Sequence, residues 1–213
     1  MSSDVLVTTP AQRQTEPHAE AVSRNRRQQA TFRKVLAAAM ATLREKSYAD
    51  LTVRLVAARA KVAPATAYTY FSSKNHLIAE VYLDLVRQVP CVTDVNVPMP
   101  IRVTSSLRHL ALVVADEPEI GAACTAGLLD GGADPAVRAV RDRIGAEIHR
   151  RITSAIGPGA DPGTVFALEM AFFGALVQAG SGTFTYHEIA DRLGYVVGLI
   201  LAGANEPSTG GSE

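Results

Sequence analysis

The sequence predicts an all-α protein of about nine helices, and three observations carry that expectation. Its 213 residues include 34 Ala, 6% aromatics and no Trp, a composition that leans towards helix rather than sheet. Apolar residues recur every three to four positions over most of the chain, with no alternating strand pattern and no internal repeat. Pro, Gly, Asp and Thr stand at the ends of these periodic stretches, where they start and stop helices. The length suits one compact domain of about 150 residues and a smaller one.

Residues 1 to about 22 are polar, aperiodic and contain Pro10 and Pro17, so a disordered leader is expected there. A helix is expected from about Arg27 to Lys46, because Phe32, Val35, Leu36, Ala39, Met40 and Leu43 form one stripe. Two short helices follow, about Thr52–Arg59 and Pro64–Phe71. A longer one starts near Ser73, with Leu77, Ile78, Val81, Tyr82, Leu85 and Val86 on one side. The prolines between Pro90 and Pro100 end it and mark a boundary, giving one domain over 23–89 and another over 90–205. The second part opens with a helix over Ile101–Ala115. Asp116 and Pro118 start the next, which stops at Gly131-Gly132. Asp134-Pro135 opens a third with Val137, Val140, Ile144, Ile148 and Ile152 inward, closed by Gly157-Pro158. Asp161-Pro162 opens a fourth, apolar almost all round from Val165 to Val177, so both of its sides need covering. Thr185 and Glu188 form a capping box for the last, which carries Ile189, Leu193, Val196, Val197, Ile200 and Leu201. Residues 206–213 are expected to be a flexible tail.

Apolar residues at 47% and charged residues at 20% are ordinary for a soluble protein. The nearly apolar run Gly194–Ala204 is about half of what a membrane crossing needs, so no membrane partner is expected. Met1–Pro10 lacks the basic start and apolar stretch of a secretory signal. Only two cysteines, Cys91 and Cys124, argue against a disulfide framework and for a reducing cytoplasm. His-Glu-x-x-His, paired Cys-x-x-Cys, a phosphate-cradling Gly-rich loop and a Gly-x-Ser-x-Gly elbow are all missing from the sequence. Neither a metal, a cofactor nor an enzymatic activity is therefore expected.

The zero net charge conceals a division. Residues 1–90 carry 13 Lys+Arg against 7 Asp+Glu, whereas residues 91–213 carry 8 against 14. Between Arg24 and His76 the ratio is 11 basic to 2 acidic residues. Such asymmetry points to a nucleic-acid-facing module joined to one that is not, although a solvated basic surface would look the same. The two short helices lie in this basic part, joined by a tight turn, which is the physical description of a helix-turn-helix. Thr52 can cap the first helix while Val53, Val56 and Ala57 face inward; Val62 plugs the turn. Pro64 suits the first turn of the second helix, whose Ala67 and Phe71 point back to the core. Ala65, Thr66, Thr69 and the tyrosine hydroxyls remain for a DNA groove, where Thr meets a base edge or a thymine methyl.

Thr52-Val53-Arg54, Val56-Ala57, Arg59-Ala60, Val62 and Thr66-x-Tyr68-x-Tyr70-Phe71, followed by Lys74 and Leu77, resemble the TetR-type (tetracycline-repressor) family of transcriptional regulators. The likeness covers about residues 27–80; the rest matches in being helical and of the expected length. It implies an N-terminal three-helix DNA-binding domain and a larger helical domain for ligand binding and dimerisation. Thr52 and Arg54 would then approach phosphate or a groove edge. Thr66, Tyr68, Thr69 and Tyr70 would face DNA, Tyr68 through a phosphate, with Tyr70 open between DNA contact and packing. Lys74 would hold a phosphate with charge and helix dipole together. Lys61 stands where the family has Gly, a left-handed position costing a non-Gly residue roughly 1–2 kcal/mol, and phosphate contact would offset that. Ala63 replaces a Ser cap, a loss of about 1 kcal/mol, and Ala65 replaces a common Gly.

The same resemblance implies a homodimer through the last two helices. Gly174, Gly194 and Gly198 within them, at about 1 kcal/mol each inside a helix, suggest close approach of another backbone; Val197 and Leu201 join them as the expected interface. Leu107, Leu110, Cys124, Leu128, Ile144, Ile148, Phe166, Met170, Phe173 and Val177 are the expected lining of a ligand pocket, though core packing explains each singly. Few charges fall on these faces, so a small apolar or amphiphilic effector is expected. His109, His149 and His187 read as surface or locally bonded, and Arg143, Arg150 and Arg151 as a solvated face. The function expected is a one-component repressor, a homodimer on a double-stranded palindromic DNA operator, released by its ligand. The alternatives are a sequence-nonspecific architectural DNA-binding protein or a small helical enzyme.

Overall fold

A computed structural model describes residues 16–130 and 133–204, with side chains from residue 25 onward. Among these residues it has nine helices and no strand: α1 (Glu16–Leu43), α2 (Val53–Arg59), α3 (Pro64–Tyr70), α4 (Lys74–Gln88), α5 (Met99–Leu112), α6 (Pro118–Asp130), α7 (Pro135–Ile156), α8 (Pro162–Gly180) and α9 (Tyr186–Ala204). The all-helical expectation holds. The start of the leader, Gly131-Gly132 and the tail 206–213 lie outside the described residues.

α1 corrects the sequence reading at both ends. It begins at Glu16, so residues 16–22 are helical rather than leader, and it stops at Leu43 rather than Lys46. Periodicity could not show its first half, because Glu16–Ala30 has no apolar stripe and relies on Ala, Arg, Gln and Glu as good helix formers. Pro17 falls in the first turn, where its missing N–H is harmless. At the other end the amides of Glu45 and Lys46 both turn back to the Thr42 carbonyl, tightening and ending the helix. Val35, Leu36, Ala39 and Leu43 are buried as the stripe requires.

α2 and α3 form the helix-turn-helix. Thr52 caps α2 by accepting from the Leu55 amide at 3.1 Å, whereas Ala63 gives α3 no side-chain cap. The turn closes with Val62 N–H donating to the Ala57 carbonyl at 3.0 Å. Lys61 sits there at φ 53°, in the left-handed region that favours glycine. Lys61→Gly should therefore stabilise the fold. Relieving roughly 1–2 kcal/mol of left-handed backbone exceeds the about 0.5–1 kcal/mol that Gly adds in chain freedom. A higher urea midpoint at unchanged slope is the expected readout.

α4 is buried along most of its length, through Leu77, Ile78, Ala79, Val81, Tyr82, Leu83 and Val86, and packs on α1 and on α6 and α7. The boundary expected at residues 90–100 is thus a break in the chain direction, not in the core. Two arginines fasten helix ends. Arg102 donates to the Ala155 and Ile156 carbonyls at the end of α7. Arg151, 3% exposed, donates to the Val86 and Val89 carbonyls at the end of α4. Arg151 is therefore no part of a solvated face, and Arg143 pairs with the buried Glu80 at 2.6 Å. The capping box of α9 is formed as read, Thr185 N–H to Glu188 at 2.8 Å and Glu188 N–H to Thr185 Oγ1 at 3.2 Å.

α9 lies along α5 and α8. α8, rather than the run Gly194–Ala204, is long and apolar enough to cross a membrane by length and composition alone. Here it buries Val165, Leu168, Phe172 and Ala179 against its neighbours. Within one protomer its other side is uncovered, with Phe166, Met170, Phe173 and Val177 exposed.

Candidate nucleic-acid interface and interior cavity

α3 presents two unlike faces. Ala67 and Phe71 are fully buried, and Phe71 stacks on Phe32 of α1 with ring centroids 5.0 Å apart. Ala65, Thr66, Tyr68 and Thr69 are exposed, Tyr68 at 51% despite its large ring. Tyr70 resolves towards packing: it is half-buried, edge-on to Phe32 at 6.1 Å. The Thr69 hydroxyl donates to the Ala65 carbonyl at 3.1 Å, which turns its methyl outward. Arg54 and Lys61 are exposed, with no acidic partner among the described residues, while Arg59 is tied to Glu45 at 2.6 Å. The Thr52 oxygen is occupied as the α2 cap, leaving only its hydroxyl hydrogen for a phosphate.

Lys74 departs from expectation. It is not a free surface cation: its ammonium donates to the Tyr48 carbonyl at 3.1 Å and lies 4.2 Å from the centroid of the Tyr48 ring. It holds the loop before α2 against the start of α4, which Ser73 caps by accepting from the His76 amide at 3.0 Å. The same Ser73 hydroxyl donates to Asp134, the cap of α7, at 2.8 Å. Arg44 at the end of α1 makes a two-pronged pair with Glu117, just before α6. The helix-turn-helix domain is thus held to the second domain at several polar points.

A further tie, the pair of Glu80 on α4 with Arg143 on α7, depends on pH. Burial pushes the Glu80 carboxyl up, but hydrogen bonds from His76 and Arg143 outweigh it and hold the group below its ordinary value. A depressed carboxylate adds stability that is fully present above the unfolded value near 4.5 and is lost as pH falls through the folded one. Glu80→Gln should therefore cost about 1–2 kcal/mol at pH 7, less than a fully buried pair because Arg143 is partly solvated. The gap between variant and parent should close as pH falls below the unfolded value near 4.5 and through the lower folded one, read in denaturant titrations.

The second domain holds a cavity of about 320 Å³, enclosed by Tyr82 of α4, α6, Arg141 and Ile144 of α7, α8 and Tyr186 at the start of α9. Of the expected lining residues, Cys124, Leu128, Ile144, Phe173 and Val177 meet there. Leu107, Leu110 and Ile148 do not; they are fully buried in the core. Phe166 and Met170 do not either, because they stand on the open side of α8. Burial pushes the Cys124 thiol up to about 12, so it is an inert apolar wall. Sequence reading missed Tyr82, Arg141 and Tyr186. A signal existed for Arg141, which lies four residues from Val137 and three from Ile144 on the inward stripe of α7. Gly121 makes room for Tyr186: a Cβ there would stand 2.5 Å from the tyrosine oxygen.

The expected interface residues divide as well. Gly174 and Gly198 face open space. Gly194 instead faces Thr104 of α5, and Val197 and Leu201 on the same stripe are buried within the protomer. Gly194 belongs to the α5–α9 contact, and Val197 and Leu201 to the protomer's own core.

Fold and surface define a helix-turn-helix domain joined to a helical second domain. The family of bacterial regulatory proteins of the tetR type matches residues 35–81, from the buried half of α1 into α4. Over these helices the chain is similar to the TetR family of transcriptional regulators. Solved structures share the fold over most of both chains. A TetR transcriptional regulator from Rhodococcus sp. RHA1 aligns over 84% of this chain and 98% of its own, with TM-score 0.69 and 21% identity. FadR of Thermus thermophilus, a TetR-family repressor in complex with lauroyl-CoA, aligns over 85% and 99%, with TM-score 0.60 and 18% identity. FadR of Bacillus subtilis, in complex with stearoyl-CoA, aligns over 81% and 98%, with TM-score 0.54 and 14% identity.

Proposed function

We propose that the protein is a cytoplasmic, non-enzymatic one-component repressor. It binds a palindromic operator as a homodimer and leaves it when a small, mostly apolar ligand enters the second domain. The observation that carries this reading is the polarity of α3, which buries Ala67 and Phe71 and offers Ala65, Thr66, Tyr68 and Thr69 beside the unpaired cations Arg54 and Lys61. Small side chains let such a helix sit deep in a major groove. Supporting the dimer, α8 and α9 leave Phe166, Met170, Tyr195 and Leu199 exposed, more apolar surface on two adjacent helices than scattered residues explain. Supporting the ligand, the cavity is apolar but for a few convergent polar groups, the usual character of a small-molecule site. Two FadR proteins of this fold are crystallised with acyl-CoA, consistent with a ligand that has an apolar chain.

The test is a footprint on the DNA flanking the protein's own gene, followed by titrations against that site and a random duplex over a range of salt. A repressor should favour its site by about 10³-fold or more at physiological salt. Equal affinity for both duplexes would make the chain a sequence-blind architectural binder instead.

A further inference from the structure

We propose that the cavity between α4, α6, α7, α8 and the start of α9 selects an amphiphilic anion, an apolar body ending in a carboxylate, with Arg141 pairing the carboxylate and the Tyr82 hydroxyl donating to it. The inference deepens the ligand-binding reading above and rests on it for its consequence at DNA, not for binding itself.

Arg141 is the charged residue in the lining, among Leu128, Ile144, Leu176 and other apolar walls. Its Nε and Nη2 are buried and have no hydrogen-bond partner, and no carboxylate among the described residues stands within ion-pair distance. Other inward arginines differ: Arg102 holds three carbonyls, Arg151 holds the end of α4, and Arg143 holds Glu80. A guanidinium cannot relieve its burial by losing a proton, as a carboxyl can by gaining one. An anion supplied from outside relieves it, and the planar fork of Arg matches a carboxylate in two parallel hydrogen bonds.

Tyr82 supplies the second, independent observation. It is 5% exposed, lines the same cavity, and its hydroxyl also lacks a partner. Burial pushes its pKa far above the ordinary phenol value, so it remains a neutral donor throughout the physiological range. Two donors left without a partner line one largely apolar cavity, and an incoming acceptor would satisfy both. Leu129, Phe173 and Val177 line the cavity too but are partly exposed, which puts them at its mouth. They give an apolar body its way in. The volume of about 320 Å³ lies near the lower end for ligand sites, so a short acid fits better than a bulky conjugate.

The full-length protein is titrated calorimetrically with decanoate, decanol, decyltrimethylammonium and decanoyl-CoA, as parent and as Arg141→Met, Arg141→Lys and Tyr82→Phe. Thermal melts monitor folding. Decanoate should bind the parent at least tenfold tighter than decanol and decyltrimethylammonium. Arg141→Met should bring decanoate and decanol within twofold of each other, Arg141→Lys should keep most of the preference, and Tyr82→Phe should weaken decanoate severalfold. Decanol binding as well as decanoate in the parent overturns the proposal whether or not the variants fold. So does an unchanged preference in Arg141→Met, no binding of decanoate at all, or binding of decanoyl-CoA alone. Decanoate that binds as expected but leaves operator affinity unchanged upholds the anion site and removes the effector reading.

Discussion

Tyr68→Ala is expected to weaken binding to every DNA sequence by about 1–3 kcal/mol, roughly 5- to 150-fold, while leaving the unfolding midpoint almost unmoved. The side chain is 51% exposed and packs on little, so its removal opens no cavity. Its expected partner is a phosphate, which positions the protein without reading sequence, so specific and random duplexes should lose affinity together. The tyrosine is neutral, and the salt slope should stay as it is. Thr66→Ala and Thr69→Ala should behave differently and shift the preferred sequence, since both residues stand on the groove side of α3. Lys74→Ala should lower affinity and also stability, because it removes the tie to Tyr48 as well as a charge. Anisotropy titrations on two duplexes separate these cases. A Tyr68→Ala protein that binds its site as the parent does would show that α3 is not docked as proposed.

Gly198→Phe should turn the proposed dimer into monomers. Nothing lies within 4 Å of a Cβ at this position, so the protomer tolerates the ring and only a second copy would meet it. Met170→Glu places a charge on the same exposed apolar side from α8 and should act alike. Separating the two reading heads removes the gain from binding two half-sites at once, about 10²- to 10⁴-fold in operator affinity. Sedimentation velocity and an operator titration read both effects. A dimer that survives both substitutions lies elsewhere on the surface.

The helices were legible in the sequence wherever an apolar stripe and a cap coincided. Asp161-Pro162 and the Thr185–Glu188 box start α8 and α9 where they were read. The first half of α1 was not legible, because propensity without burial leaves no periodic trace. The outward side of α3 followed from its inward pair, Ala67 and Phe71: once these are core, helical spacing assigns Thr66, Tyr68 and Thr69 to the outside. Lys74 was harder, because its partner is a backbone carbonyl, at Tyr48, which no residue pattern advertises. On α9 a stripe of Leu193, Val197 and Leu201 meets a partner in the same chain or in a second copy with the same spacing, so periodicity alone left their partner undetermined. The cavity lining was half legible for a similar reason. An inward apolar residue fills a core or borders a void, and only the relative placement of α4, α6, α7 and α8 decides which.

The course of α4 limits how this protein can be recombined. Its first turn carries Ser73 and Lys74, which anchor Asp134 and the Tyr48 loop, and its middle carries Tyr82 into the cavity wall. A hybrid joined at Pro90, the natural seam by sequence, would set a foreign α6 and α7 against a helix shaped for others. It would lose the bonds from Ser73 to Asp134 and from Glu80 to Arg143 along with one cavity wall. The exchangeable unit is shorter, ending at Phe71, and even that graft must retain Arg44 for Glu117 and a residue that keeps Lys74 engaged. Operator specificity is therefore better transplanted one α3 side chain at a time than by trading whole domains.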